Sequence, residues 1–233
     1  MRIHCFKGTW QSRRALLILL AALLPMICSL QPAPAASGSP IIRVEEDWAV
    51  EIIEPATDET SPQITNTISP TNDLKGFYGV FELNHGTQPD YDDGGLEVQI
   101  WQGPTEVIYN RFTNTNRLSY NNETVTYTVA MSVSKSEGRN ILRVSIRNGN
   151  SQTWGQFGTT GNFRCSVQDT DVDDLSGYTP QFSVDNSKIG YASFRVNKFS
   201  LKAVRYYTSD GLVATDNTER VVFQYNPNAV ISE

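Results

Sequence analysis

Glu45, Glu46, Asp47 and Glu51 crowd four carboxyl groups into a stretch of seven residues. Carboxyl groups at such short range are what glycan hydrolysis requires: one acts as acid and one as nucleophile or base, about 5 to 10 Å apart across the scissile bond. On an extended chain Glu45, Asp47 and Glu51 share one face, and a solvated strand edge accounts for that placement without any reaction. Glu46 falls on the opposite face with Val44, Trp48, Val50 and Ile52. Its burial there demands a bulge, a strand edge or a buried partner.

Two further acidic runs have loop character. Asp169, Asp171 and Asp173 alternate along Asp169-Thr170-Asp171-Val172-Asp173-Asp174, and alternating carboxylates supply the hard oxygen ligands that wrap a calcium ion. The run departs from the helix-loop-helix calcium pattern, with Asp174 where glycine is needed and Pro180 where a bidentate Glu should stand. An acidic turn is the simpler reading. Asp90-Tyr91-Asp92-Asp93-Gly94-Gly95 adds an aromatic ring to the same chemistry, a mixture suited to sugars or to a solvated hairpin loop.

Other reactive types are few. His85 and His4 are the two histidines of the chain, so a histidine-clustered zinc site is excluded and a Ser-His-Asp arrangement would have to use His85. No Gly-x-Ser-x-Gly elbow accompanies it. Cys165 alternates with Phe163 and Val167, the pattern of a small core residue. Trp101 alternates with Glu97 and Gln99 against Leu96, Val98 and Ile100, which aims it away from the core. Trp101 and Trp154 offer flat faces for sugar stacking, although a strand-end Trp also packs beneath loops. Asn122-Glu123-Thr124 has the form of a glycan acceptor.

The elements that must position these groups have a period of two. Val125, Tyr127, Val129, Met131 and Val133 alternate with Thr126, Thr128, Ala130 and Ser132, and Leu142, Val144 and Ile146 alternate with Arg143, Ser145 and Arg147. A turn containing Gly138 joins them into a hairpin. Further strands are predicted from 42 to 52, 77 to 84, 96 to 101, 106 to 112, 163 to 168, 189 to 195, 199 to 207 and 221 to 225, with the longest loops at 55 to 62 and 86 to 95. No segment has a helical period. The expected fold class is all-β, a two-sheet antiparallel sandwich or jelly roll with a closed barrel as alternative, and Val125, Tyr127, Val129, Leu142, Val144 and Ile146 are expected between the sheets.

At the other end of the chain, basic residues ending in Arg13-Arg14 run into the apolar block Ala15 to Leu24, the pattern of a secretory signal. Pro25 interrupts the block before the span of about 20 apolar residues that a membrane helix needs. Ala33 and Ala35 suit a signal peptidase. The expectation is a signal peptide over 1 to 35 and a single β-sandwich domain over 36 to 233, with no membrane span after processing. The ordinary unfolded export route is favoured over the twin-arginine route. Ile27 before Cys28 speaks against a lipoprotein. Removing residues 1 to 36 takes four basic and no acidic side chains, leaving 15 Lys and Arg against 25 Asp and Glu, a net charge near −10. Such acidity excludes nucleic acid as an expected partner. Cys165 then stands alone, so no intrachain disulfide forms and packing must supply stability. The tail from Asn226 to Glu233 has neither sorting motif nor apolar anchor, so wall attachment is not expected.

Gly190-Tyr191-Ala192-Ser193-Phe194-Arg195-Val196-Asn197-Lys198-Phe199, continued by Ser200-Leu201-Lys202-Ala203-Val204-Arg205-Tyr206-Tyr207, resembles the closing strands of concanavalin A-like and laminin G-like domains. The hairpin from Ile141 to Gly149 with Trp154-Gly155 is similar to their central sheet. The opening Arg43-Val44-Glu45-Glu46-Asp47-Trp48 and the ending Asp216-Asn217-Thr218-Glu219-Arg220-Val221-Val222 resemble exported proteins of planctomycete bacteria, a likeness that implies export but no activity and leaves the glycan-acceptor pattern without use. The first resemblance implies a curved jelly roll of a superfamily that includes sugar-binding lectins, adhesion modules and glycan-cleaving enzymes. Jelly-roll glucanases carry Glu-x-Asp-x-Glu or Glu-x-Asp-x-x-Glu, and Glu45-x-Asp47-x-x-x-Glu51 is longer and lies on the first strand.

The expected protein is therefore an exported, non-catalytic module, secreted, periplasmic or at the cell surface, whose partner is a glycan or cell-surface polymer. Its alternatives are a glycan-active hydrolase or lyase and a purely structural envelope protein. The ligand surface is expected at a rim carrying Asn84, Tyr91, Asp92, Asp93, Trp101 and Trp154. No cofactor is implied apart from calcium at Asp169, Asp171 and Asp173.

Overall fold

A computed structural model describes residues 38–53, 61–84, 95–113, 118, 120–159 and 161–226. Thirteen strands and one short helix follow in the order β1 (Arg43–Ile52), β2 (Gln63–Ile68), β3 (Phe77–Leu83), β4 (Gly95–Gln102), β5 (Thr105–Thr113), β6 (Thr124–Ser136), β7 (Arg139–Ser151), β8 (Gly155–Phe157), β9 (Arg164–Gln168), α1 (Pro180–Asn186), β10 (Lys188–Tyr191), β11 (Val196–Thr208), β12 (Gly211–Asp216) and β13 (Arg220–Gln224). They form two sheets, and all of the pairings are antiparallel. Sheet A runs β12-β11-β1-β6-β7-β8, with β13 on the first half of β11 and β9 on the first half of β7. Sheet B runs β10-β2-β3-β4-β5. The fold class is an all-β two-sheet sandwich.

The core follows from the alternation. Val125, Tyr127 and Val129 of β6 and Leu142, Val144 and Ile146 of β7 are all buried, facing Phe81, Leu83, Leu96, Val98 and Ile100 of sheet B. Across the interface the Tyr127 hydroxyl donates to Asn66 Oδ1 at 2.6 Å, which allows a polar residue to face inward from β2. The sheets approach tightly at Gly79, where an added Cβ would lie 2.6 Å from Val144 Cγ2. The β6–β7 hairpin turns on Glu137 and Gly138, both in the left-handed region (φ 51° and 79°), as a two-residue hairpin loop requires.

Glu46 is the inward exception, and the structure supplies its partners. It is wholly buried, with the Trp48 indole donating to Oε2 at 3.0 Å and the Tyr178 hydroxyl to Oε1 at 2.7 Å. Tyr178 belongs to the segment that leads into α1, which packs on β2, β11 and β13. The helix was not expected from periodicity, and its seven residues are too few to display any. No described helix is long and apolar enough to cross a membrane.

Candidate functional site

The outward residues of β3 and β4 are set by the pairing Tyr78↔Trp101, Val80↔Gln99 and Glu82↔Glu97. Because Leu96, Val98 and Ile100 are committed to the core, Glu97, Gln99 and Trp101 project from the outer face of sheet B. Trp101 lies beside Tyr78 with ring centroids 6.3 Å apart and planes 12° from parallel. Both rings are half-buried. A chain of hydrogen bonds fixes the tryptophan: its Nε1–H donates to Gln99 Oε1 at 2.6 Å, Gln99 Nε2 donates to Glu97 Oε1 at 2.8 Å, and Arg111 donates to Glu97 Oε2. The Tyr78 hydroxyl donates to the Gly103 carbonyl at 3.0 Å, and burial raises its pKa. The polar ends of both rings are thus engaged within the protein.

Tyr78, Val80, Glu82, Gln99 and Trp101 line one side of a cleft of about 440 Å³. Thr65 and Thr67 of β2 form its floor, while Asp185, Asn186 and Lys188, at the end of α1 and the start of β10, form the opposite wall. The cleft therefore joins ring faces to hydroxyl, amide and carboxylate groups, the mixture that recognises a polyhydroxylated ring. Tyr109, paired with Gln99 from β5 and half-exposed, extends the aromatic surface toward the sheet edge.

Of the expected rim residues that the structure describes, Asn84 and Trp154 do not line the cleft beside Trp101. Asn84 is fully buried in the left-handed region (φ 56°), donating through Nδ2 to the Pro62 carbonyl at 2.7 Å and accepting from the Leu118 amide at 3.3 Å. It organises loops at the end of β3 opposite Tyr78. Trp154 lies in sheet A's β7–β8 turn, half-buried and edge-on to Phe157 at 6.4 Å. That turn is held by Glu123, which accepts from the Gln152 amide at 2.6 Å and from the Thr153 hydroxyl at 2.9 Å. Tyr91, Asp92, Asp93 and His85 lie outside the described residues. Tyr78, Glu82 and the α1–β10 wall escaped sequence reasoning because the strand register and a helix far along the chain bring them to Trp101.

The acidic turn does not converge as a calcium cage. Asp169 is 3.7 Å from Arg139, and Asp173 is 3.4 Å from Lys135 while accepting from Asn140 at 3.0 Å. Among the described residues no cluster of three or more His, Cys, Asp or Glu side chains is arranged to hold a metal ion. Cys165 is buried against the Val98 carbonyl, and burial, with Glu97 and Glu106 nearby, pushes its thiol up to about 12.

A second, wider groove of about 740 Å³ crosses the outer face of sheet A and contains Glu45, Asp47 and Glu51. Glu45 takes Arg147 and Arg43 on Oε1, at 3.3 and 3.4 Å, and Arg205 and the Tyr207 hydroxyl on Oε2, at 3.1 and 2.8 Å. Asp47 pairs both oxygens with Arg205 and also accepts from Thr128 at 2.7 Å. Glu51 accepts from Asn197 at 2.8 Å. Every oxygen of Glu45 and Asp47 is thus occupied by the protein itself, and Trp48 and Tyr127 lie beneath the groove with their rings buried. This groove offers neither a free acid–base pair nor a stacking face.

No family model and no curated protein matches the chain. Among solved structures it is similar to SCP-B, a member of the eqolisin family of peptidases in a complex with the tripeptide Ala-Ile-His, at 13% identity over 79% of this chain and 83% of that one, with a TM-score of 0.24.

Proposed function

We propose that the protein is an exported, non-catalytic β-sandwich module that binds carbohydrate, or serves adhesion through it, at the cell surface. The observation that supports this reading is the near-parallel pair Tyr78 and Trp101 at the mouth of a cleft rich in hydroxyl, amide and carboxylate groups. Sugar rings present an apolar face ringed by hydroxyls, and the cleft complements both. The resemblance of 190–207 to concanavalin A-like closing strands points the same way. The glycan-active enzyme is less well supported, because Glu45 and Asp47 are engaged by Arg43, Arg147, Arg205, Tyr207 and Thr128.

A glycan array read with the unaltered protein, Trp101→Ala and Tyr78→Ala tests the proposal. Retention of a neutral glycan is expected, with about tenfold weaker binding in each variant, or about 1.4 kcal/mol. Equal affinity in all three proteins would remove the cleft as the site. If nothing is retained by the unaltered protein, the structural envelope reading replaces this one.

A further inference from the structure

The outer face of sheet A beside the groove gathers five arginines. The cross-strand rows run Tyr207, Arg43, Ser132, Arg143, Ser166 and, one step along, Arg205, Glu45, Ala130, Ser145, Arg164, followed by Asp47, Thr128, Arg147. Between the arginines the sheet carries small side chains, and Ala130 and Ser145 are buried beneath their stems. The stems of Arg43 and Arg147 are pressed down far enough to bury their Nε atoms, while their side chains remain 35% and 39% exposed. Arg43 is further held over the Tyr207 ring at 3.7 Å. The result is one sheet face carrying five guanidinium groups.

Glu45 and Asp47 neutralise part of this field, through Arg43, Arg147 and Arg205. Arg143 bonds to Ser166 at 3.1 Å, and neither it nor Arg164 has a carboxylate partner among the described residues. Burial and then the nearby Arg164 and Arg147 disfavour the charged form of Arg143. Five guanidiniums against two carboxylates leave an excess of positive charge in a chain whose net charge is −6. Gathering like charges is unfavourable unless an anion relieves it, and concentrating them on one face against the sign of the whole chain marks a binding surface.

Geometry selects the kind of anion. Arg43 and Arg143 are separated by one intervening strand, about 10 Å, and Arg143 and Arg147 by four residues along β7, about 13 Å. An extended polymer with regularly spaced charges can meet several of them at once, and the planar fork of arginine suits carboxylate and sulfate oxygens. We propose that this arginine face binds an anionic polysaccharide bearing carboxylate or sulfate groups along its length. Single-stranded nucleic acid is disfavoured because its bases need aromatic platforms, and the Tyr207 ring is covered by Arg43. The site is separate from the sheet-B cleft and holds or fails independently of it.

The test measures affinity for alginate and dextran sulfate, with neutral dextran, single-stranded DNA and phosphatidylglycerol vesicles in parallel, for the full protein and for Arg143→Gln combined with Arg164→Gln. Binding to at least one of the two polyanions is expected, weakening with salt. The double variant should bind about tenfold less tightly, with a logarithmic salt slope smaller by about 2, while Trp101→Ala retains full affinity. If the variant fails to fold, phenylglyoxal modification of the unaltered protein replaces it, and protection of Arg143 and Arg164 by the polyanion is expected. No binding to either polysaccharide, unchanged affinity in the folded variant, absence of protection, or tighter binding to DNA or vesicles would overturn the proposal.

Discussion

Glu46 carries an ionisable group into a fully buried position, and burial is the main reason that its pKa is pushed up to about 7 from an ordinary 4.5, against the opposing effect of hydrogen bonds from Tyr178 and Trp48. A carboxyl whose pKa is higher folded than unfolded holds its proton more tightly in the folded state. Its contribution to stability is therefore undiminished below about pH 4.5, falls as pH rises toward 7, and stays low above that. Glu46→Gln keeps the shape and removes the titration. The variant should gain stability relative to the unaltered protein on going from pH 5 to pH 8, by up to about 3 kcal/mol. Urea unfolding at the two pH values measures this, and a stability difference that does not change with pH contradicts it. The inward position of Glu46 is legible in the alternation of β1. Its partner Tyr178 is not, because it lies 132 residues away.

Among the elements, those with apolar alternation were legible to within a few residues. Strands expected at 77 to 84, 96 to 101 and 106 to 112 are observed at Phe77–Leu83, Gly95–Gln102 and Thr105–Thr113. β2 was missed because Gln63-Ile64-Thr65-Asn66-Thr67-Ile68 places Asn66 inward, where its Oδ1 accepts from the Tyr127 hydroxyl of the facing sheet. β12 was missed because Leu212 and Val213 follow one another and are both exposed. The segment expected as a strand from 189 to 195 is a shorter strand followed by a 3₁₀ turn at Ser193–Arg195 after Ala192, which adopts φ 50°. The contact between the sheets gives a prediction at this scale. Gly79→Ala should cost about 1 to 3 kcal/mol because its methyl group meets Val144, with Ile68 Cγ2 3.2 Å away on another side. Val144→Ala in the same chain should return part of that loss, seen as a coupling of about 1 kcal/mol in a double-mutant cycle. Strict additivity of the two substitutions would contradict a direct clash.

For the molecule as a whole, the proposed location and the proposed ligand are separately testable. If residues 1 to 35 are a signal peptide, N-terminal sequencing of secreted material should begin near Ala36, and an intact Met1 would contradict export by that route. Trp101 was legible as an outward aromatic because three core residues alternate against it, but Asn84 and Trp154 serve loops elsewhere. A rim assembled from residue types alone could not separate these cases, since Tyr78 reaches Trp101 only through the β3–β4 register and Asp185 only through α1. The most direct measurement of the central claim is an NMR titration of the indole Nε1–H resonances with neutral oligosaccharides. The Trp101 resonance should shift, because the ring and its bond to Gln99 border the cleft, while those of Trp48, bonded to buried Glu46, and Trp154 stay in place. A titration in which Trp101 stays still with every oligosaccharide, or in which Trp154 moves instead, would contradict the account.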